Sequence, residues 1–144
     1  MTNLTKIRRL FAAALMLTIL LTTISSLTSA EARPRSTVSR RVCAYDWRRS
    51  TYQLRMMIRC AARRWPVAGG AHKALSVARC ESGLDPDAYN PSGYAGVYQQ
   101  AMRYWPGRSG TYGFRDYSVY NGRANIMVSV RMAHRVGWDA WSCA

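Results

Sequence analysis

The sequence predicts a small, mainly α-helical domain held together by disulfides, with room for at most a short β-hairpin. Apolar side chains recur at helical spacing in residues 50–65, 70–81 and 123–136, with turn-rich stretches between them. Four cysteines lie outside the N-terminal segment, and an even number in a small exported chain indicates two disulfides. About 112 residues remain after that segment is removed, a length that suits one domain.

The N-terminal segment, residues 1–32, has the pattern of a secretory signal peptide. Lys6, Arg8 and Arg9 precede about a dozen apolar residues, and small residues follow up to Ala30 or Ala32. The alternative, a membrane anchor, requires about 20 apolar residues. We therefore expect an exported protein with no stable membrane span after signal cleavage.

The chain is strongly basic, with a net charge of +14. Removing Lys6, Arg8 and Arg9, together with Glu31 if the later cut is used, leaves +11 or +12, and almost all of this charge is arginine. Such a surface suits an anionic polymer: nucleic acid, a membrane surface or an anionic cell wall. Export disfavours nucleic acid. The alternative is that the arginines only solvate the outer faces of helices.

The four cysteines could pair in three ways or could contribute to a zinc site. They are Cys43, Cys60, Cys80 and Cys143. No C-x-x-C pair is present, and His72 and His134 are the only histidines. We therefore expect two disulfides, no metal and no cofactor.

Residues 33–49 show no apolar periodicity and predict a flexible basic arm, after which the domain occupies residues 50–144. Ser50 or Thr51 predicts the N-cap of a first helix, which ends before Pro66. Its apolar face comprises Leu54, Met57, Ile58, Ala61 and Trp65, with Arg55, Arg59 and Arg63 on the opposite side.

The second predicted helix, residues 70–81, ends on a glutamate that continues its apolar stripe. Ala74, Val77 and Ala78 form the stripe, and Glu81 is its next position. Gly83 can supply the left-handed backbone that stops the helix. Burial and the negative end of the helix dipole both disfavour a charged carboxylate, and general-acid catalysis needs a protonated one. The alternative is a glutamate that turns outward to solvent.

The rest of the chain predicts turns, a short helix, a loop and a final helix. Turn residues fill positions 85–93, and the short helix begins near Ala95 and carries Val97, Tyr98 and Gln99. A loop rich in glycine and tyrosine covers residues 107–122. The final helix spans residues 123–136, with Ile126 on its apolar face.

The stretch from residue 80 to residue 99 resembles the signature of soluble lytic transglycosylases. The shared positions are Cys80, Glu81, Ser82, Gly83, Pro86, Ala88, Asn90, Gly93, Gly96 and Gln99. The Cys-Glu-Ser-Gly opening and the closing Gly137-Trp-x-x-Trp141-x-Cys143 resemble resuscitation-promoting factors still more closely. Trp105 and the pair Asn125-Ile126 also match, so the resemblance spans about residues 68–143.

The resemblance implies a lysozyme-like fold in which Glu81 is the single catalytic acid. It also implies that Cys80 pairs with Cys143, which leaves Cys43 to pair with Cys60. The implied substrate is peptidoglycan, cut at the β-1,4 bond between N-acetylmuramic acid and N-acetylglucosamine. We therefore expect a secreted, wall-associated protein that binds glycan strands and no nucleic acid, and that acts as a monomer.

The predicted substrate-binding residues are Gln99, Ser82, Tyr98 and Trp105. Gln99 and Ser82 could contact sugar or orient Glu81, or could be ordinary polar residues at helix ends. The aromatic side chains of Tyr89, Tyr94, Tyr98, Trp105 and Trp141 could stack on sugar rings or simply pack in the core.

No second catalytic carboxylate stands out in the sequence. The other acidic residues of the expected mature chain are Asp46, Asp85, Asp87, Asp116 and Asp139. A hydrolase usually needs a second carboxylate, so this pattern favours a lytic transglycosylase. The alternatives are a muramidase that hydrolyses the same bond and a cationic wall-binding protein without catalysis.

Overall fold

The computed structural model describes residues 36–144, so the signal peptide expected at residues 1–32 lies outside the described part. The four helices are α1 (Thr51–Arg64), α2 (Gly70–Ser82), α3 (Trp105–Thr111) and α4 (Gly122–Val136). Three two-residue strands, β1 (Tyr89–Asn90), β2 (Tyr94–Ala95) and β3 (Gln100–Ala101), form an antiparallel sheet in the order β1-β2-β3, and a 3-10 turn (Met102–Tyr104) precedes α3. The predicted fold class, mainly helical with a minor sheet and two disulfides, is confirmed. None of the helices between residues 36 and 144 is both long and apolar enough to cross a membrane.

Helix α1 begins where the sequence predicts. The Ser50 side chain accepts a hydrogen bond from the backbone N–H of Gln53, which satisfies one of the free donors of the first turn. Leu54, Met57 and Ile58 are buried, and this face of α1 packs against α2 and α4. The predicted apolar stripe is thus the face that forms the core.

Helix α2 ends in a tight reversal that leads into the sheet. Gly83 has a φ of 67° and donates its N–H to the carbonyl of Arg79, and Leu84 follows with a φ of 72°. Leu84 is nonetheless buried. Its apolar side chain offsets the cost of a left-handed backbone, and the reversal places Glu81 in the last turn of α2.

Helix α4 lies at the centre of the domain and carries a buried amide. Asn125 is fully buried, and its side-chain oxygen accepts from the backbone N–H of Tyr98 at 2.9 Å. Its Nδ2 donates to the carbonyls of Ala95 (3.2 Å) and Val119 (2.9 Å). One side chain therefore joins α4 to the loop after β2 and to the segment before α4.

Residues 94–101 form strands and a turn, so the short helix predicted from Ala95 is wrong. The backbone has positive φ at Gly93 (90°), Gly96 (77°) and Gln99 (43°), which no α-helix can contain. Strand β2 pairs with β1 and with β3, and these ladders replace the helical hydrogen bonds. A helix begins later, at Trp105 with a proline in its first turn, and extends through Thr111 into the stretch predicted as a loop, residues 107–122.

The structure also departs from the flexible arm expected at residues 33–49. Of this segment it describes residues 36–49, which pack against the domain. The guanidinium of Arg123 donates to the carbonyls of Ser39 and Val42, both at 2.9 Å. A disulfide from Cys43 to Cys60 joins the segment to α1. Its apolar side chains, too few to show periodicity, rest on the core and include Val38, Val42 and Trp47.

Two disulfides close the domain, Cys43–Cys60 and Cys80–Cys143, and no cysteine is free. They are the pairs that the family resemblance implies. The sequence separations are 17 and 63 residues. Loop-closure entropy gives bridges of these lengths roughly 3 and roughly 4 kcal/mol of stability. That contribution is large for a domain of this size, whose apolar core is small.

We predict that Gly96→Ala destabilises the domain much more than Gly93→Ala does. Both glycines have positive φ, so each substitution places alanine in a left-handed backbone at a cost of about 1–2 kcal/mol. A Cβ at Gly96 would lie 2.4 Å from Asn125 Nδ2 and 2.6 Å from the Val119 carbonyl oxygen, whereas one at Gly93 meets no atom within 4 Å. We expect the clash to add about 1–3 kcal/mol. Urea denaturation measures both losses, and equal losses would contradict the clash.

Candidate active site

Glu81 is half-buried in the last turn of α2 and is held by the C-terminal segment. Its Oε1 accepts a hydrogen bond from the backbone N–H of Cys143 at 3.2 Å. Cys143 is itself bonded through sulfur to Cys80, the residue before Glu81. Cys143, which donates this N–H, is therefore cross-linked to the residue that immediately precedes the acceptor, Glu81. This arrangement fixes one oxygen of Glu81 and leaves the other, Oε2, for a ligand.

The carboxyl group borders a cavity of about 280 Å³. The lining residues are Glu81, Asn90, Tyr94, Gln99, Ala140, Trp141 and Ser142. They come from the end of α2, the small sheet and the C-terminal segment. The Cys80–Cys143 disulfide holds the C-terminal segment beside the end of α2, and this contact closes the cavity on that side.

Gln99 lines the same cavity as Glu81 and has a strained backbone conformation. Its φ is 43°, a value that costs a non-glycine residue roughly 1–3 kcal/mol. The side-chain Nε2 donates to the carbonyls of Gly96 (3.1 Å) and Ala88 (3.3 Å). Because both bonds use the amide nitrogen, Oε1 of Gln99 is the atom available to accept from a ligand.

An aromatic cluster supports the C-terminal wall of the cavity. Trp141 donates its Nε1–H to the carbonyl of Tyr98 at 2.9 Å, and the Trp138 and Trp141 ring centroids lie 5.1 Å apart. Tyr98 is fully buried beneath them, and its hydroxyl donates to the carbonyl of Ala74 at 2.9 Å. Burial raises the pKa of Tyr98, so its phenol stays neutral and keeps this bond.

Three of the four predicted substrate-binding residues lie outside the cavity. The hydroxyl of Ser82 donates to the carbonyl of Val97 at 2.8 Å, with Ala78 as a second acceptor at 3.2 Å, and so joins α2 to the sheet. Trp105 is buried, and its Nε1–H bonds the carbonyl of Tyr117 at 2.7 Å. Tyr98 lies in the core as described. Only Gln99 shares the cavity with Glu81.

Other lining residues carried weaker signals in the sequence or none. Tyr94 and Trp141 are among the aromatic residues that could stack on sugar. Asn90 stands in the shared motif, where its side chain accepts from the N–H of Ser92 and shapes the turn. Ala140 and Ser142 belong to no sequence motif that indicates a site. They line the cavity because the disulfide holds the C-terminal segment beside Glu81.

A second cavity of about 200 Å³ adjoins the first and shares four of its lining residues. The shared residues are Tyr94, Gln99, Ala140 and Trp141, and the second cavity adds Gln100, Ala101, Arg103, Tyr104 and Arg108. The two cavities therefore form one cleft. Within the described part of the chain, Glu81 is the only carboxylate that lines it.

A third cavity, about 780 Å³ and larger than either of these two, is a separate feature. It is lined by the start of α1, the turn after α2 and residues 116–121, and it shares no lining residue with the cleft. Asp87 and Asp116 border it, but neither Glu81 nor Gln99 does. Its size alone does not make it the active site, because the carboxyl group of Glu81 borders the other cleft.

Two of the other acidic side chains accept hydrogen bonds from the backbone of nearby turns. Asp85 accepts from the backbone N–H of Asp87 at 2.9 Å, and Asp46 accepts from that of Arg48 at 3.2 Å. Between residues 36 and 144, no three His, Cys, Asp or Glu side chains are grouped so that they could hold a metal ion. Among the described residues that line the cleft, the carboxyl group of Glu81 is thus the one acidic side chain.

Comparison with models of protein families gives a match. A family model described as Transglycosylase-like domain matches residues 62–144, which include the whole cleft. No curated protein and no solved structure was found to match the chain. Most of α1 and the segment before it precede the matched region.

We predict that removing the long disulfide loosens Glu81, whereas removing the short one does not. Cys80→Ser/Cys143→Ser should lower the free energy of unfolding by about 4 kcal/mol, and the control Cys43→Ser/Cys60→Ser by about 3 kcal/mol. Only the first should expose the amide of residue 143 to fast hydrogen exchange, because its acceptor is Glu81. Exchange is measured by NMR at a temperature where both variants remain folded. Equal protection of this amide in both would show that the bond does not depend on the bridge.

Proposed function

Because the chain belongs to the transglycosylase-like domain family, we propose that it is an exported enzyme that cleaves the glycan strands of peptidoglycan. The bond is the β-1,4 link from N-acetylmuramic acid to N-acetylglucosamine, and the enzyme is a lytic transglycosylase. The observation that carries this proposal is the single carboxyl group in the cleft, Glu81, held at a helix end by the N–H of Cys143.

Export is supported by two features of the chain. Residues 1–32 have the basic, apolar and small-residue order of a signal peptide. All four cysteines are in disulfides, which persist in oxidising compartments outside the cytosol. The net charge of +11 or +12 that remains once this segment is removed suits an anionic wall.

In the first step Glu81 acts as the general acid. Oε1 accepts the N–H of Cys143, so the proton of the carboxyl group sits on Oε2, the atom left for the substrate. Oε2 gives this proton to the glycosidic oxygen while the bond from that oxygen to the muramyl C1 breaks. Positive charge develops on the sugar ring as it does so. General-acid catalysis of this kind contributes roughly 10²–10⁴-fold.

In the second step the same residue acts as the general base. The muramyl 6-hydroxyl attacks C1, and the Glu81 carboxylate takes the proton of that hydroxyl. The product is a 1,6-anhydro sugar, and Glu81 returns to its protonated form. Hydrolysis usually requires a second carboxylate about 5–9.5 Å from the first to attack the sugar or activate water. No other lining residue of the cleft is acidic, which favours transglycosylation over hydrolysis.

The other cleft residues bind and orient the sugars. Oε1 of Gln99 accepts a hydrogen bond from a sugar hydroxyl or acetamido N–H. Tyr94, 37% exposed, presents a ring face on which a sugar stacks. Trp141 is fixed by its bond to Tyr98 and forms the opposite wall.

We predict that Glu81→Gln lowers kcat on purified peptidoglycan by at least 10²-fold, because the amide cannot supply the proton. Its stability should change little, since the glutamine oxygen still accepts from Cys143. Asp139→Asn and Asp87→Asn are the matched controls: each removes one exposed carboxylate that does not line the cleft, and each should retain activity. Cleavage that survives Glu81→Gln would show that Glu81 is not the acid, whereas no cleavage by the wild-type protein would favour a non-catalytic wall-binding protein.

We predict that the released muropeptides end in 1,6-anhydromuramic acid. Mass spectrometry of digested peptidoglycan distinguishes these products from reducing ends, because hydrolysis adds the mass of one water. The control is the same digest with a hydrolytic muramidase. Reducing ends from this protein would establish hydrolysis and would require a second group that activates water.

A further inference from the structure

The half of the cleft away from Glu81 is basic, and its chemistry has no part in the reaction described above. We propose that Arg103 and Arg108 form a subsite that binds an anionic group, a carboxylate or a phosphate, carried by the wall polymer near the bond that is cut. This subsite rests on the proposed function, since it names a part of the substrate that the enzyme recognises. It contributes binding rather than catalysis.

One tyrosine ring holds both arginines. The guanidinium carbon of Arg103 lies 4.8 Å from the centroid of the Tyr104 ring, and that of Arg108 lies 5.3 Å from it. Each contact is a cation–π attraction that restrains the guanidinium against the face of the ring. Both side chains are thus partly ordered before a ligand arrives, which lowers the entropy lost on binding.

Arg108 is also anchored to the core. Its Nη1 donates to Oε1 of Gln100 at 2.7 Å, and Gln100, 1% exposed, donates through Nε2 to the hydroxyl of Ser129 at 2.8 Å. Ser129 is fully buried in α4. Because a guanidinium has five N–H donors, this bond leaves most of them for a ligand in the cavity.

The charge of the pair is not neutralised within its own cavity. None of the residues that line this cavity carries a carboxylate, and Glu81 lines only the neighbouring one. A guanidinium can bind a carboxylate or phosphate through two parallel hydrogen bonds. Two restrained cations in a concave site therefore select an anion.

The position of the pair indicates which part of the substrate they contact. The cavity of the arginines and the cavity of Glu81 share Tyr94, Gln99 and Trp141 as a common wall. A sugar bound against this wall with its glycosidic oxygen at Glu81 places its substituents next to the arginines. In peptidoglycan such substituents are the peptide attached to muramic acid, which bears carboxylates, and phosphate-linked polymers where these are present.

The test compares Arg103→Gln with Arg59→Gln. Arg59 is exposed on the outer face of α1, so the control removes the same charge away from the cleft. KM and kcat are measured on three forms of the same wall: untreated, with its carboxylates converted to amides, and with phosphate-linked polymers removed by hydrofluoric acid. Arg108→Gln serves as a second variant, with its unfolding temperature checked because it also loses the bond to Gln100.

We expect Arg103→Gln to raise KM about 2- to 5-fold on untreated wall at unchanged kcat, the size of one partly exposed ion contact. If the penalty disappears on amidated wall, the anion is a carboxylate; if it disappears after hydrofluoric acid, the anion is a phosphate. Either result supports the subsite. A KM penalty that equals that of Arg59→Gln, or that persists unchanged on both the amidated wall and the wall treated with hydrofluoric acid, overturns it.

A binding measurement separates this inference from the proposed function. N-acetylmuramyl dipeptide has one sugar and no glycosidic bond, so its binding is independent of cleavage. In NMR titrations we expect the wild-type protein to bind the acid more tightly than its methyl ester, and Arg103→Gln to lose this difference. Equal affinity for the acid and the ester would contradict the proposed anion subsite, even if the enzyme is active. If the wild-type protein cleaves no wall, this result would instead contradict the proposed function.

Discussion

The cleft depends on one closed ring of bonds. Cys80 is joined to Cys143 through sulfur, and the N–H of Cys143 returns to Oε1 of Glu81, the residue after Cys80. This ring attaches the C-terminal segment to the end of α2 and thereby creates a wall opposite the small sheet. It holds Cys143 beside the carboxyl group, while the bond from Trp141 to the carbonyl of Tyr98 holds the rest of this wall. A few residues thus specify both the shape of the cavity and the orientation of its acid.

The sheet on the other side is held by polar groups buried in α4. Asn125 bonds the loop that connects β2 and β3, while Ser129 bonds Gln100 in β3. Strands of two residues have little stability of their own, because they contribute few ladder bonds and little buried area. The buried side chains supply what the short strands lack, and they require the close approach that only glycine permits at Gly96.

Helices α1, α2 and α4 could be predicted from the sequence because their signals are local. Ser50 at a cap, the stripe that ends in Glu81 and the left-handed stop at Gly83 each act within one or two turns. Residues 94–101 could not, because their conformation depends on Asn125, which is distant in sequence. The described part of the expected arm, residues 36–49, has few apolar side chains and depends on a disulfide and on Arg123 for its place. Glu81 and Gln99 line the cleft and belong to recognisable sequence motifs. Ser82, Tyr98 and Trp105 do not line it, and their hydrogen bonds hold the surrounding elements together.

The order of the cysteines along the chain bears on when the cleft can form. For a chain exported from its N-terminus, as proposed, Cys43 and Cys60 arrive first, and their short loop can close while the rest is still crossing. Cys143 is the last cysteine to arrive, and it supplies both the partner of Cys80 and the N–H that binds Glu81. Under the proposed export, Glu81 therefore gains its final environment only after Cys143, 63 residues beyond Cys80, has followed it across the membrane.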